Sequence, residues 1–235
     1  MSLEVELDRD EYFSKTELLM RYAKEDSNNR KHLTNLIVID LVTSLEVFTE
    51  RAINQFIKKY NEINLKTCQI QDRLRLEQSK KILSELTILL NHKHKDNKSK
   101  EKLIEIQKLW STGNNFKLDF KPELPHGKHG EIQLNNLFIK IGITDLFESF
   151  KIKSPNQSYL DETTYLDIEQ FIREITEKRN IAIHEGAPLH NSVTIEILEN
   201  YLLFTQEIMK GIKNRLNSEL TNHQAIQETP PRFPQ

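Results

Sequence analysis

The sequence predicts an all-α helical bundle with a long middle loop, on two observations. Apolar residues recur at three- and four-residue spacing over most of the chain, the period of one face of a helix. Glycine and proline are scarce, six and seven in 235 residues, whereas sheet proteins spend both on turns. Lys, Glu, Leu, Ile and Asn dominate the rest.

The elements follow in order. Glu11 to Lys24 reads as a first helix, with Phe13, Leu18, Leu19 and Tyr22 as its apolar residues. Asn28 or Asn29 is placed to cap a second, long helix reaching about Tyr60. Its stripe runs Leu33, Ile37, Leu41, Leu45, Phe48, Ala52, Phe56 and Tyr60, and Val38, Val42 and Ile53 widen it. A stripe that wide belongs to a central helix with partners on two sides. Ile70 to Leu90 and Lys98 to Trp110 read as the third and fourth helices. Thr112 to Gly130 carries Gly113, Pro122, Pro125, Gly127 and Gly130, which mark a loop longer than the usual connection. Trp110, Phe116 and Phe120 border it as core or loop anchors. A short helix over Leu134 to Ile141, a turn at Leu146 to Phe150 and a linker at Ser154 to Ser158 come next. Two helices close the bundle, about Glu162 to Glu185 and Ser192 to Leu216. The implied organisation is an N-terminal helix over 1–27, a helical domain over 28–216 with its loop inserted near 111–130, and a flexible C-terminal tail over 217–235.

Composition removes several function classes. No Gly-rich phosphate loop is present, which excludes most P-loop and dinucleotide-binding enzymes. The net charge of −2 provides no global field to draw in nucleic acid, so such a role must rest on local patches. A single cysteine, Cys68, rules out an internal disulfide framework and a cysteine zinc cluster; it is expected as a buried or half-buried small apolar residue. The acidic start of the chain lacks a basic-then-apolar leader. The longest apolar stretch, Leu33 to Phe48, is interrupted by Asp40 and Glu46 and is too short for a bilayer. The expectation is a soluble, cytoplasmic protein that does not engage a membrane.

The most informative residues lie inside the helix predicted over 162–185. Its core stripe runs Ile168, Phe171, Ile172, Ile175, then Ala182, and the slot at 179 holds an arginine. A guanidinium is rarely buried without a partner, so a carboxylate, another subunit or a phosphate must compensate it. The segment reads Arg179-Asn180-x-x-x-His184. His184 lies one turn beyond Asn180 and shares its face, but Arg179 and His184 are about 140° apart on an ideal helix. A straight helix in one chain does not aim both at one atom. Either the helix breaks near Gly186, or a second copy completes the site. Glu46, a carboxylate on an apolar helix, is the preferred ion-pair partner for Arg179; Asp40 is expected to point to solvent.

Arg179, Asn180 and His184, with Leu45-Glu46-Val47-Phe48 on an earlier long helix, resemble the R-x(4–6)-H signature and first core helix of the HEPN superfamily of all-helical ribonucleases. The resemblance spans roughly residues 30–215 and is closest to the bacterial branch found in toxin and phage-defence operons. It implies a helical bundle of HEPN type with extra helices. It also implies a metal-independent endoribonuclease, needing no cofactor, that works as a homodimer with a composite cleft and is restrained by an antitoxin or defence-complex partner.

The residue types suit that chemistry. RNA cleavage needs a group to take the 2′-hydroxyl proton, one to protonate the leaving 5′-oxygen, and one to steady charge on phosphorus. Histidine serves the first two and arginine the third. Asn180 is placed to orient His184 or to bind a phosphate oxygen, and Glu46 to support Arg179. Since one chain carries one such histidine, a two-fold dimer supplies the second proton-transfer group. A basic run at Lys93, Lys95, Lys98 and Lys100, with Lys128 in the loop, is read first as a solvated turn and second as a candidate RNA contact. His92, His94, His126 and His129 lack acidic or cysteine companions at ligand spacing, so no metal site is assigned. Two other readings stay open. In one, the motif is a salt-bridge network in a non-catalytic interaction module, with Arg179 on Glu46 and His184 capping its helix. In the other, Arg179 holds the phosphate of a nucleotide-sensing domain.

Overall fold

The computed structural model describes residues 4–8, 10–91, 96–124, 130–153 and 165–228. It is all-α, and no strand forms among the described residues beyond two isolated bridge pairs, Lys66 with Asn115 and Lys153 with Tyr165. Seven α-helices follow one another: α1 (Asp10–Glu25), α2 (Ser27–Ile63), α3 (Asp72–Leu90), α4 (Asp96–Trp110), α5 (Glu131–Lys140), α6 (Ile168–Asn180) and α7 (Ile195–Glu228).

The central element is α2, as its wide stripe demands. Asp26, rather than Asn28 or Asn29, caps it by accepting the Asn28 N–H at 2.8 Å, and Asn64 ends it in the left-handed region at φ 57°. Val38, Leu41, Leu45, Phe48, Ala52, Ile53 and Phe56 are all buried. Helices α1, α6 and α7 pack around α2, with Phe13 and Met20 of α1 and Ile208 and Ile212 of α7 in the same core. The N-terminal helix is therefore part of the bundle rather than an appendage.

Two expectations change here. Asp40 does not point to solvent: it takes the Lys15 ammonium and the Thr16 hydroxyl, both at 2.6 Å, with its side chain 13 % exposed. Thr16 is fully buried, so the carboxylate satisfies a hydroxyl that packing has removed from water. The last helix does not stop at Leu216; α7 continues to Glu228, because Leu220 and His223 prolong the buried stripe. Of the tail expected over 217–235, residues 229–235 lie outside the described part.

The long middle segment is laid along α2 and held there. Phe116 N–H donates to Leu65 C=O at 2.8 Å, and the Asn61 side chain both receives the Leu118 N–H (2.8 Å) and donates to the Leu118 C=O (3.0 Å). Glu50 accepts the Leu124 N–H at 2.7 Å. Phe116 and Leu118 are buried beneath the segment and Phe120 packs against the core, as anchors should. Trp110 instead remains 43 % exposed on α4. Cys68 is exposed rather than buried, because the short turn Thr67–Gln69 turns Thr67 inward in its place.

Candidate functional site

The segment carrying Arg179, Asn180 and His184 is not a straight helix. Asp167 caps α6 by accepting the Gln170 N–H at 2.9 Å, and the helix buries Ile168, Phe171, Ile172 and Ile175 as the stripe predicts. After Asn180 it widens into a π turn over Ile181–Glu185 and then stops at Gly186, whose φ of 62° is left-handed. Of the two alternatives the spacing leaves open, the chain takes a break. A π turn closes its hydrogen bonds five residues apart instead of four. It therefore narrows the angle between Arg179 and His184 from the roughly 140° of a straight α-helix. Ala182 keeps the stripe buried, while Ile183 and His184 are turned outward and exposed.

Arg179 occupies the core slot it was expected to interrupt. It is half-buried, with Nε shielded from solvent and without a hydrogen-bond partner. One terminal nitrogen donates to Asn180 Oδ1 at 3.1 Å, so Asn180 braces the arginine rather than the histidine. The expected Arg179–Glu46 ion pair does not form among the described residues. The Arg179 guanidinium goes to Asn180 instead, while Glu46 lies one turn from Glu50, on the face of α2 that receives the 116–124 segment. Glu46 has interactions of its own.

Asn35 is the residue sequence reasoning missed. Its side chain donates to Ala187 C=O and accepts the Leu189 N–H, each at 3.0 Å. This is the same two-bond clamp that Asn61 applies to Leu118, and here it fixes the chain directly after His184. A polar amide between Leu33 and Ile37 on an apolar helix was the available signal. Lys31 and His32 lie exposed on the preceding turn of α2, beside the pinned loop.

Of the candidate RNA lysines, Lys98 and Lys100 are exposed on α4, which packs chiefly on α3. Lys93, Lys95 and Lys128 lie outside the described residues, as do His92, His94, His126 and His129.

A helical bundle built around one long central helix, with further helices packed on it, is an architecture consistent with the HEPN class. The comparison with family models agrees: the RiboL-PSP-HEPN family model matches residues 8–218. The chain belongs to the RiboL-PSP-HEPN family, and that membership points to an RNA- or nuclease-related function. No curated protein and no solved structure matches it. No described helix is long and apolar enough to cross a membrane.

Proposed function

We propose that the protein is a metal-independent endoribonuclease whose site is formed by Arg179, Asn180 and His184 of two copies. One observation carries the reading. His184 stands exposed on a π turn directly after a half-buried Arg179 whose guanidinium is not consumed by a carboxylate among the described residues. A salt-bridge network in an interaction module would have used that charge internally.

In the proposed reaction Arg179 presents its planar fork to the non-bridging oxygens of the scissile phosphate. Asn180 holds the fork through its Oδ1, leaving its own amide N–H groups for the substrate. His184 of one copy takes the 2′-hydroxyl proton; the 2′-oxygen attacks phosphorus and the bond to the 5′-oxygen breaks. His184 of the second copy gives a proton to that leaving oxygen. The products are a 2′,3′-cyclic phosphate and a free 5′-hydroxyl. Exposed Ile183 and Leu36, the latter adjacent to the Asn35 clamp, offer apolar contact area for pairing around the motif. A toxin or anti-phage role in the cytoplasm, restrained by a partner protein, is the setting such chemistry suits.

The test is incubation of purified protein with mixed RNA and single-stranded DNA in excess EDTA, beside His184→Ala and Arg179→Ala. We expect cleavage of RNA alone, cyclic-phosphate ends, and a fall of about 10²–10⁴-fold in each variant. Equal cleavage by all three proteins would overturn the assignment. Mixing wild type with excess His184→Ala adds a check on the composite site: a mixed dimer carries one histidine where the reaction needs two, so cleavage should fall below the share of wild-type chains.

A further inference from the structure

Seven of the fifteen large hydrophobic side chains exposed on the described surface lie on α3 and α4, far more than the share of these two helices. Five of them make one face. Leu76, Leu83 and Leu90 are exposed by 49, 49 and 68 % and follow each other at seven-residue spacing, as do Leu103 and Trp110 at 55 and 43 %. Seven residues are two helical turns less about 20°, so each set forms a nearly straight row.

The rows lie on the same side of the hairpin. Lys102 meets Glu85 at 2.8 Å and Trp110 Nε1 donates to Ser79 at 3.0 Å, so the two helices run antiparallel. On each helix an exposed residue comes four positions after a buried one, Leu90 after Leu86 and Leu103 after Ser99. That is a rotation of about 40° in one sense, and in an antiparallel pair one sense on both helices leads to one side. It is the side away from the body. Leu74 lies beside Gly142, and Gln78 and Lys81 bond Asp119, from positions about half a turn around α3 from the leucine row.

We propose that this face is a second self-association surface, on which the α3–α4 hairpin of another copy docks to complete an antiparallel four-helix bundle. A seven-residue apolar repeat is the seam of helix-on-helix packing. The α3 row is also symmetric about its middle member: a two-fold axis at Leu83 places Leu83 against itself and Leu76 against Leu90 of the second copy. That is the self-complementarity an isologous interface requires. The five side chains expose on the order of 500 Å² per hairpin, most of the roughly 800 Å² per partner of a stable interface. The face uses none of the elements around Arg179 and His184, so it adds to a motif-centred pairing and does not depend on it.

The experiment is light scattering across a concentration series on the full chain and on Leu83→Glu, with helicity followed by circular dichroism. We expect the wild-type mass to halve in Leu83→Glu at unchanged helicity. In a Cys68→Ser background, Leu83→Cys should give disulfide-linked pairs under mild oxidation, while Ile88→Cys, on the other edge of α3, should not. If Leu83→Glu fails to fold, the cysteine pair decides. An unchanged mass in a folded Leu83→Glu protein, or equal cross-linking at 83 and 88, overturns the proposal and leaves the face to a helix from a different protein.

Discussion

On the proposed function, Arg179 sets activity against stability at a single position. Its Nε is buried without a hydrogen bond, and such a group costs folding free energy that an apolar side chain would not. Arg179→Leu continues the stripe from Ile175 to Ala182 and should stabilise the fold by about 1 kcal/mol while abolishing RNA cleavage. Paired denaturation and cleavage assays check this, and a destabilised Arg179→Leu would show that the arginine is held by contacts the fold needs. Asn35 predicts the opposite combination of causes. Asn35→Ala removes two hydrogen bonds and should cost about 1–3 kcal/mol, but single-turnover cleavage should fall further than the loss of folded protein explains, because the loop after His184 is released. The arginine was legible in the sequence, since a charge in an apolar register is conspicuous. Its partner was not. Nothing in the spacing distinguished Glu46 on α2 from the adjacent Asn180, because the choice depends on how α6 is laid on α2, which the one-dimensional pattern does not carry.

Among the elements, α7 carries a substitution whose sign is inverted by packing. Gly211 lies mid-helix, where glycine is worse than alanine by about 1 kcal/mol. A Cβ built there would run into the Phe150 ring, so Gly211→Ala should destabilise the protein, by about 1–3 kcal/mol as overpacking does. Thermal melts decide the sign, and Gly211→Ala with Phe150→Leu should recover part of the loss. Helices with continuous buried stripes, α2 foremost, were legible from periodicity because packing and propensity agree there. The end of α7 was not, since Leu216, Leu220 and His223 continue the buried face through a run of polar residues. The π turn was legible only as a contradiction: five-residue spacing excluded a straight helix without saying how the chain would depart from it.

For the molecule as a whole, the core extends from the motif end of α2 to a buried ring pair at the other. Tyr60 and His223 meet edge to face at 4.8 Å. Burial pushes the His223 imidazole below its ordinary range, with the Glu219 carboxylate opposing, and burial raises the Tyr60 phenol. The histidine is thus held neutral in the fold and takes up its proton more readily when unfolded. The unfolded chain then binds more protons as pH falls below the ordinary histidine pKa of about 6.5, and stability falls with it. We expect the melting temperature to drop between neutral and mildly acidic pH, and His223→Phe to flatten that drop; an identical profile in the variant would place the titration elsewhere.

The dependence of α1, α6, the middle segment and α7 on one wall, α2, has a temporal side. Synthesis delivers α2 before most of what covers it: the motif, and then α7, follow more than 100 residues later. Chains grow at about 5–20 residues per second, so α2 waits many seconds with much of its apolar face bare, and the Asn35 clamp has nothing solid to hold until α7 has packed. A chain still waiting for α7 therefore has its arginine and histidine but not their arrangement. For a protein that would cut RNA, the order of its helices delays activity until α7 has been made and packed.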